Sequence, residues 1–126
     1  MQKQEPKKIL AVMSDLFFSV KISEAARRAG MTVEFVKDPG EVVEKAKARP
    51  TLIIFDLNYE PAEPLKLIGR LKGIAELKGT SLIGYLSHVQ GELKQQAQEA
   101  GFDMVMARSA FSQNLPQILK RHSGTL

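Results

Sequence analysis

At 126 residues, 44% apolar and 25% charged, the chain has the composition of a globular domain large enough to bury a core without covalent staples. Zero cysteines exclude disulfides, thiolate metal sites and cysteine nucleophiles. No apolar run reaches transmembrane length, and the polar, Lys-rich lead from Met1 to Lys8 lacks the small-residue cleavage site of a signal peptide, so the expected compartment is the cytoplasm.

The net charge of +4 comes from basic residues scattered among acids, as in the run Glu41 to Lys47. No dense basic run is interleaved with aromatics, and neither nucleic acid nor a membrane is expected as a partner.

Strand and helix patterns alternate along the whole chain. Lys8 to Met13 predicts a first strand. Phe18, Ile22, Ala25 and Ala29 then mark one face of a helix, with Ser14 or Asp15 as its N-cap and Gly30 as its stop. Met31 to Val36 predicts strand two. Asp38-Pro39-Gly40-Glu41 is a helix start with a capping Asp, Pro in the first turn and Glu in the capping-box position. Val42, Val43 and Ala46 give the second helix its apolar face.

Leu52 to Asp56 predicts strand three, and the Pro-containing loop from Asn58 to Pro64 leads into a helix through Leu65, Ile68 and Leu71. Ser81 to Leu86 is strand four. Gly91 to Ala100 is a polar helix with a thin stripe of Leu93, Ala97 and Ala100, and Met104 to Ala107 is strand five. The final helix carries Leu115, Ile118 and Leu119, and Pro116 is expected in its first turn, where its missing N–H costs nothing. Phe111 is expected in the core, and the methionines at 13, 31, 104 and 106 as core filler.

Five βα units imply a doubly wound, five-stranded parallel sheet with helices on both faces and the flavodoxin-like strand order 2-1-3-4-5. The expected organisation is a single domain over residues 1–126, with flexible ends at 1–7 and 122–126.

The run from Leu52 to Phe55 is continuously apolar, as suits a strand buried on both faces, and it delivers Asp56 to the strand's C-terminal edge. Ligands and chemistry gather at that edge in open α/β sheets. The segment after strand one, Met13 to Phe18, is bulky where a phosphate-binding loop needs glycines. No Ser/His/Asp set presents itself, so no enzyme is expected. His88 and His122 are too far apart in the pattern for a shared metal site, and His122 is placed in a fraying tail. Tyr85 is assigned to the core and Tyr59, beside Asp56, to a surface contact.

The segments RPTLIIFDLN, SLIGYLSH and EAGFDMVMARSAF occur in an order and spacing that resemble the receiver domain of bacterial response regulators, chemotaxis-regulator-like and of the two-component phosphorelay type, over nearly the whole chain. The resemblance implies a phospho-accepting aspartate at Asp56, a switch hydroxyl at Ser87, and Arg108 where the family has its lysine, with Ser109 in place of the proline that follows. It implies a Mg²⁺ held by Asp56, the Asn58 backbone carbonyl and an acidic pair at the end of strand one. Met13 and Ser14 stand where that pair belongs, and Asp15, one step late, is the carboxylate left.

No cofactor is expected, and any Mg²⁺ held by Asp56, Asp15 and Asn58 would be weakly bound, since that ion needs near-octahedral oxygen ligation. Arg108 carries a planar fork suited to a carboxylate, and a direct pair with Asp56 in place of the metal is the expectation.

The reading is a stand-alone receiver-like signalling domain acting as an atypical, phosphorylation-independent protein-interaction module. A genuine phospho-accepting regulator using Asp56 and a small-ligand-binding flavodoxin-like domain are the alternatives. The resemblance implies a histidine kinase or a downstream effector as partner, and it admits a homodimer through helix 4, strand 5 and helix 5.

Overall fold

The computed structural model describes residues 7–87 and 91–123. Its elements follow the sequence pattern: β1 (Lys8–Val12), α1 (Leu16–Arg28), β2 (Thr32–Val36), α2 (Pro39–Ala46), β3 (Leu52–Asp56), α3 (Pro64–Lys72), β4 (Ser81–Leu86), α4 (Gly91–Ala100), β5 (Met104–Ala107) and α5 (Arg108–His122). Short 3-10 turns at Glu60–Ala62 and Ala75–Leu77 flank α3. All strand pairs are parallel and the order is β2-β1-β3-β4-β5, as expected.

Strand alternation sorts the core into two layers. Ile9, Ala11, Leu52, Ile54, Ile83 and Tyr85 face α1 and α5, meeting Phe18, Ile22, Ala26, Phe111, Leu115, Ile118 and Leu119. Leu10, Val12, Ile53, Phe55 and Leu82 face α2, α3 and α4, meeting Val42, Ala46, Leu67, Ile68, Leu71 and Ala97. The chain therefore winds one way from β1 to β2 and the other way from β3 onward. The crevice between β1 and β3 is the topological switch point, and Asp56 lies on its rim.

Helix starts obey local chemistry. Asp15 is the N-cap of α1 and accepts from the Phe18 N–H at 3.1 Å. Asp38 caps α2 by accepting from the Glu41 N–H at 3.1 Å, with Pro39 in the first turn. Gly30 takes φ 71° just beyond α1, the left-handed conformation that ends a helix.

Several expectations are corrected. Pro116 lies in the interior of α5, because that helix begins at Arg108, immediately after β5. His122 is held at the end of α5, with Nδ1 2.7 Å from the Ile118 carbonyl oxygen and Nε2 2.8 Å from Ser81 Oγ. Lys7, the last residue of the expected flexible lead, has its carbonyl accepting from the Thr32 N–H at 3.0 Å. Met104 is exposed, and β1 stops one residue short of Met13. On α1 the buried alanine is Ala26, with Ala25 and Ala29 at the margin, and on α3 Leu67 is buried more deeply than Leu65. His88, most of the expected lead (Met1–Pro6) and Gly124–Leu126 lie outside the described residues.

Candidate functional site at the strand edge

Asp56 closes β3 half-buried, and the chain beyond it folds back at once. Its Oδ1 accepts from the Asn58 N–H at 2.9 Å, and its carbonyl accepts from the Tyr59 N–H at 3.0 Å. The Asn58 side chain then reaches across to β4, where its Oδ1 accepts from the Ser87 N–H at 2.7 Å. Asn58 thus ties the loop after β3 to the loop after β4. The role expected of it was its backbone carbonyl, which here accepts from the Glu60 N–H at 3.1 Å.

The ion pair at this edge differs from the expected one. Arg108 Nη2 bonds Asp15 Oδ2, not Asp56. The reason is geometric. Arg108 is the first residue of α5 and Asp15 the cap before α1, and those two helices pack on the same sheet face. The guanidinium carbon also lies over the Phe18 ring, 4.5 Å from its centroid, a cation–π contact that helps fix its direction. Phe18 in turn sits 4.9 Å from Tyr85 and 6.0 Å from Phe111, and Tyr85 stacks on Phe111 at 5.1 Å and 14°.

The electrostatics follow from these contacts. The Asp15 carboxyl is held below its ordinary pKa by the Phe18 N–H and then by Arg108. Asp56 is pushed the other way by burial, and the Asn58 N–H and the Arg108 charge only partly offset that. Tyr85 is raised by burial and by the Asp56 charge, and its hydroxyl is buried with no hydrogen-bond partner among the described residues. Tyr85 was assigned to packing alone; its position opposite Asp56 in the β3–β4 register is what puts a polar atom at the site.

Of the residues the sequence singles out, Asp15, Asp56, Asn58, Ser87 and Arg108 all come to the C-terminal edge of the sheet. Met13 is 1% exposed and packs in the layer beneath α1 and α5, while Ser14 points to solvent. Among the described residues no group of three or more His, Cys, Asp or Glu side chains is placed to hold a metal ion. Also among the described residues, no helix is long and apolar enough to cross a membrane. Phe18 beneath Arg108 is the partner that sequence reasoning missed. Its helical spacing marked it as core, and nothing in that spacing says which cation sits on it.

No protein-family model matches the sequence, and no curated protein matches it significantly. Solved structures do. The chain is similar to the chemotaxis response regulator CheY4 of Vibrio cholerae, at 25% identity and a TM-score of 0.78, over 92% of this chain and 98% of that one. It is similar to a response regulator from Hahella chejuensis at 17% identity and a TM-score of 0.83, over 94% and 96%. The phosphorylated cyanobacterial phytochrome response regulator RcpA aligns at 22% identity and a TM-score of 0.72, over 91% and 89%. The chain has the receiver-domain fold of two-component response regulators.

Proposed function

We propose that this chain is a signalling domain of the receiver type whose pocket works without phosphorylation, as an atypical protein-interaction module rather than an enzyme. The observation that carries the reading is the pairing of Arg108 with Asp15 beside a buried Met13. Receiver chemistry needs carboxylates to hold Mg²⁺, and the metal supplies most of the charge stabilisation for phosphoryl transfer. Here Met13 is packed into the core, and Asp15 is occupied as a helix cap and as an arginine partner.

Asp56 alone, with the Asn58 carbonyl already accepting from Glu60, does not make an octahedral Mg²⁺ site. The residues do not fit the metal. Arg108 supplies a fixed positive charge in its stead, and its field reaches Asp56 as well as Asp15.

The phospho-accepting alternative rests on Asp56 itself. It stands at the strand edge and is only half-buried, and a phosphorylated response regulator is among the similar structures. A titration of the ¹⁵N-labelled chain with Mg²⁺ and then beryllofluoride separates the two. The proposal expects a flat response at Asp15, Asp56 and Ser87. Saturable Mg²⁺ shifts followed by slow-exchange changes reaching α5 would establish a phosphorylation switch instead.

The partner on this reading is a kinase or effector of a two-component pathway, met in the cytoplasm. Neither nucleic acid nor membrane is involved. A homodimer through α4, β5 and α5 is less favoured by what that face offers. Phe111 is fully buried, and Met104 of β5 is the large apolar side chain this face exposes, at 38%.

A further inference from the structure

Among the described residues, the most exposed large apolar side chain is on α1. Phe17 is 88% exposed and Val20 58%, and both open onto a groove of about 980 Å³ between α1 and α5. Leu115 and Pro116 form its far wall, and Arg108 stands at one end. An aromatic side chain left almost wholly in water on a helix face gains free energy only when something covers it.

The charges at the rim say what that something is. Lys21, Arg28 and Lys120 line the groove, and its acidic lining residue, Glu24, is already bound to Arg27 at 3.0 Å. A second copy of the chain would bring the same cations against these, which like-charge repulsion opposes. A bilayer is flat, whereas this surface is a concavity lined by two packed helices. A helix with one apolar and one acidic face matches both the shape and the sign.

We propose that the α1–α5 groove is the docking site for an acidic amphipathic helix of a partner protein. Its apolar side covers Phe17, Val20 and Pro116, and its carboxylates meet Lys21, Arg28 and Lys120. This deepens the interaction-module reading above and rests on it. Because Arg108 borders the groove, a docked helix also touches the residue that holds Asp15, and binding is felt at the strand edge.

The test uses two synthetic peptides of about 18 residues, long enough to form a helix. They share one Leu-rich apolar face and carry either Glu or Lys on the other. Titrated into the ¹⁵N-labelled chain, the Glu peptide binds saturably and shifts the amides of Phe17, Val20 and Gln117, with smaller shifts at Asp15. The Lys peptide binds at least about tenfold more weakly, a difference of about 1.4 kcal/mol.

Phe17→Ala, at an exposed position, leaves the thermal midpoint in place and weakens the Glu peptide by about tenfold, a typical loss for an aromatic anchor. Lys21→Glu with Lys120→Glu reverses the peptide preference.

Equal binding of both peptides, no binding of either, or indifference to Phe17→Ala overturns the proposal. So does binding to anionic phosphatidylglycerol vesicles that the Glu peptide does not displace, or a Phe17-dependent dimer in sedimentation.

The Glu peptide is also titrated into Asp56→Asn, where unchanged affinity is expected. A beryllofluoride response with intact peptide binding removes the phosphorylation-independent reading and leaves the groove. A flat response with no peptide binding does the reverse.

Discussion

Arg108 and Asp15, 93 residues apart in sequence, form the ion pair that joins the starts of α5 and α1. Both side chains are about one-third exposed, so the pair is partly screened, and the Phe18 ring beneath the guanidinium adds to it. Arg108→Ala is expected to lower stability by about 1 kcal/mol in urea unfolding. It should also shift the amides around Asp15 and Asp56 more than addition of Mg²⁺ does. Unmoved amides would show that the pair does not organise this edge.

Asp15 serves twice, and its two roles can be separated. Asp15→Asn keeps an oxygen for the Phe18 N–H and loses the charge, whereas Asp15→Ala loses both. The alanine variant should be less stable than the asparagine variant by about 1 kcal/mol, the usual worth of an N-cap. Because the folded state holds the Asp15 pKa below its ordinary 3.8, its contribution is present above that value. The contribution disappears as pH falls through the folded pKa. Asparagine at 15 should flatten that acid-side loss in a stability–pH profile.

Asp56 carries the opposite sign. Burial raises its pKa in the folded state, so the charged form costs stability above the folded pKa, and the cost vanishes below 3.8. Asp56→Asn retains an acceptor for the Asn58 N–H and removes the buried charge. The variant should unfold at a higher temperature than the parent at pH 7, with the two converging as pH falls below 3.8. A lower midpoint at pH 7 would mean that the carboxylate has a charged partner in solution.

Tyr85 holds a buried hydroxyl with no partner among the described residues. Removing an unsatisfied buried polar atom while keeping the ring relieves its desolvation cost, so Tyr85→Phe should raise stability by about 1 kcal/mol. The aromatic stack on Phe111 is retained. Destabilisation by Tyr85→Phe in denaturant unfolding would show that the hydroxyl is satisfied.

Met13→Asp with Ser14→Asp rebuilds an acidic pair at the end of β1. In the absence of metal this should cost about 2–4 kcal/mol, because a carboxylate replaces a side chain that is 1% exposed. Millimolar Mg²⁺ should return more than about 1 kcal/mol of it through binding to the folded state, and leave the parent unchanged. Calorimetric midpoints with and without Mg²⁺ decide the matter. Equal responses of parent and variant would show that Met13 is not what excludes the ion.

Much of the architecture is written in local pattern. The apolar runs at β1, β3 and β4, the Asp38-Pro39 start and the turn at Gly30 each specify their own element, and the alternation of elements specifies the winding. The site residues were legible through the motif around Asp56. Their partners were not, because a side chain's direction depends on how two distant helices pack. Arg108 is nearer in pattern to Asp56, yet α5 starts without a linker after β5 and turns the guanidinium toward α1. The same immediate start is why Pro116 falls mid-helix, a position the apolar spacing of Leu115, Ile118 and Leu119 could not reveal. His122 looked like tail because its anchor, Ser81, is contributed by another element.

The last helix is consequently a rod fastened at both ends. Arg108 clamps it at the C-terminal edge of the sheet, and His122 clamps it at the opposite edge, about 22 Å away for 15 residues at 1.5 Å each. A rod held this way does not pivot. Its weak joint is Pro116, which has no N–H to return to the Ser112 carbonyl. A partner pressing on Pro116 should therefore bow the helix at its middle rather than swing it, an effect felt at both ends.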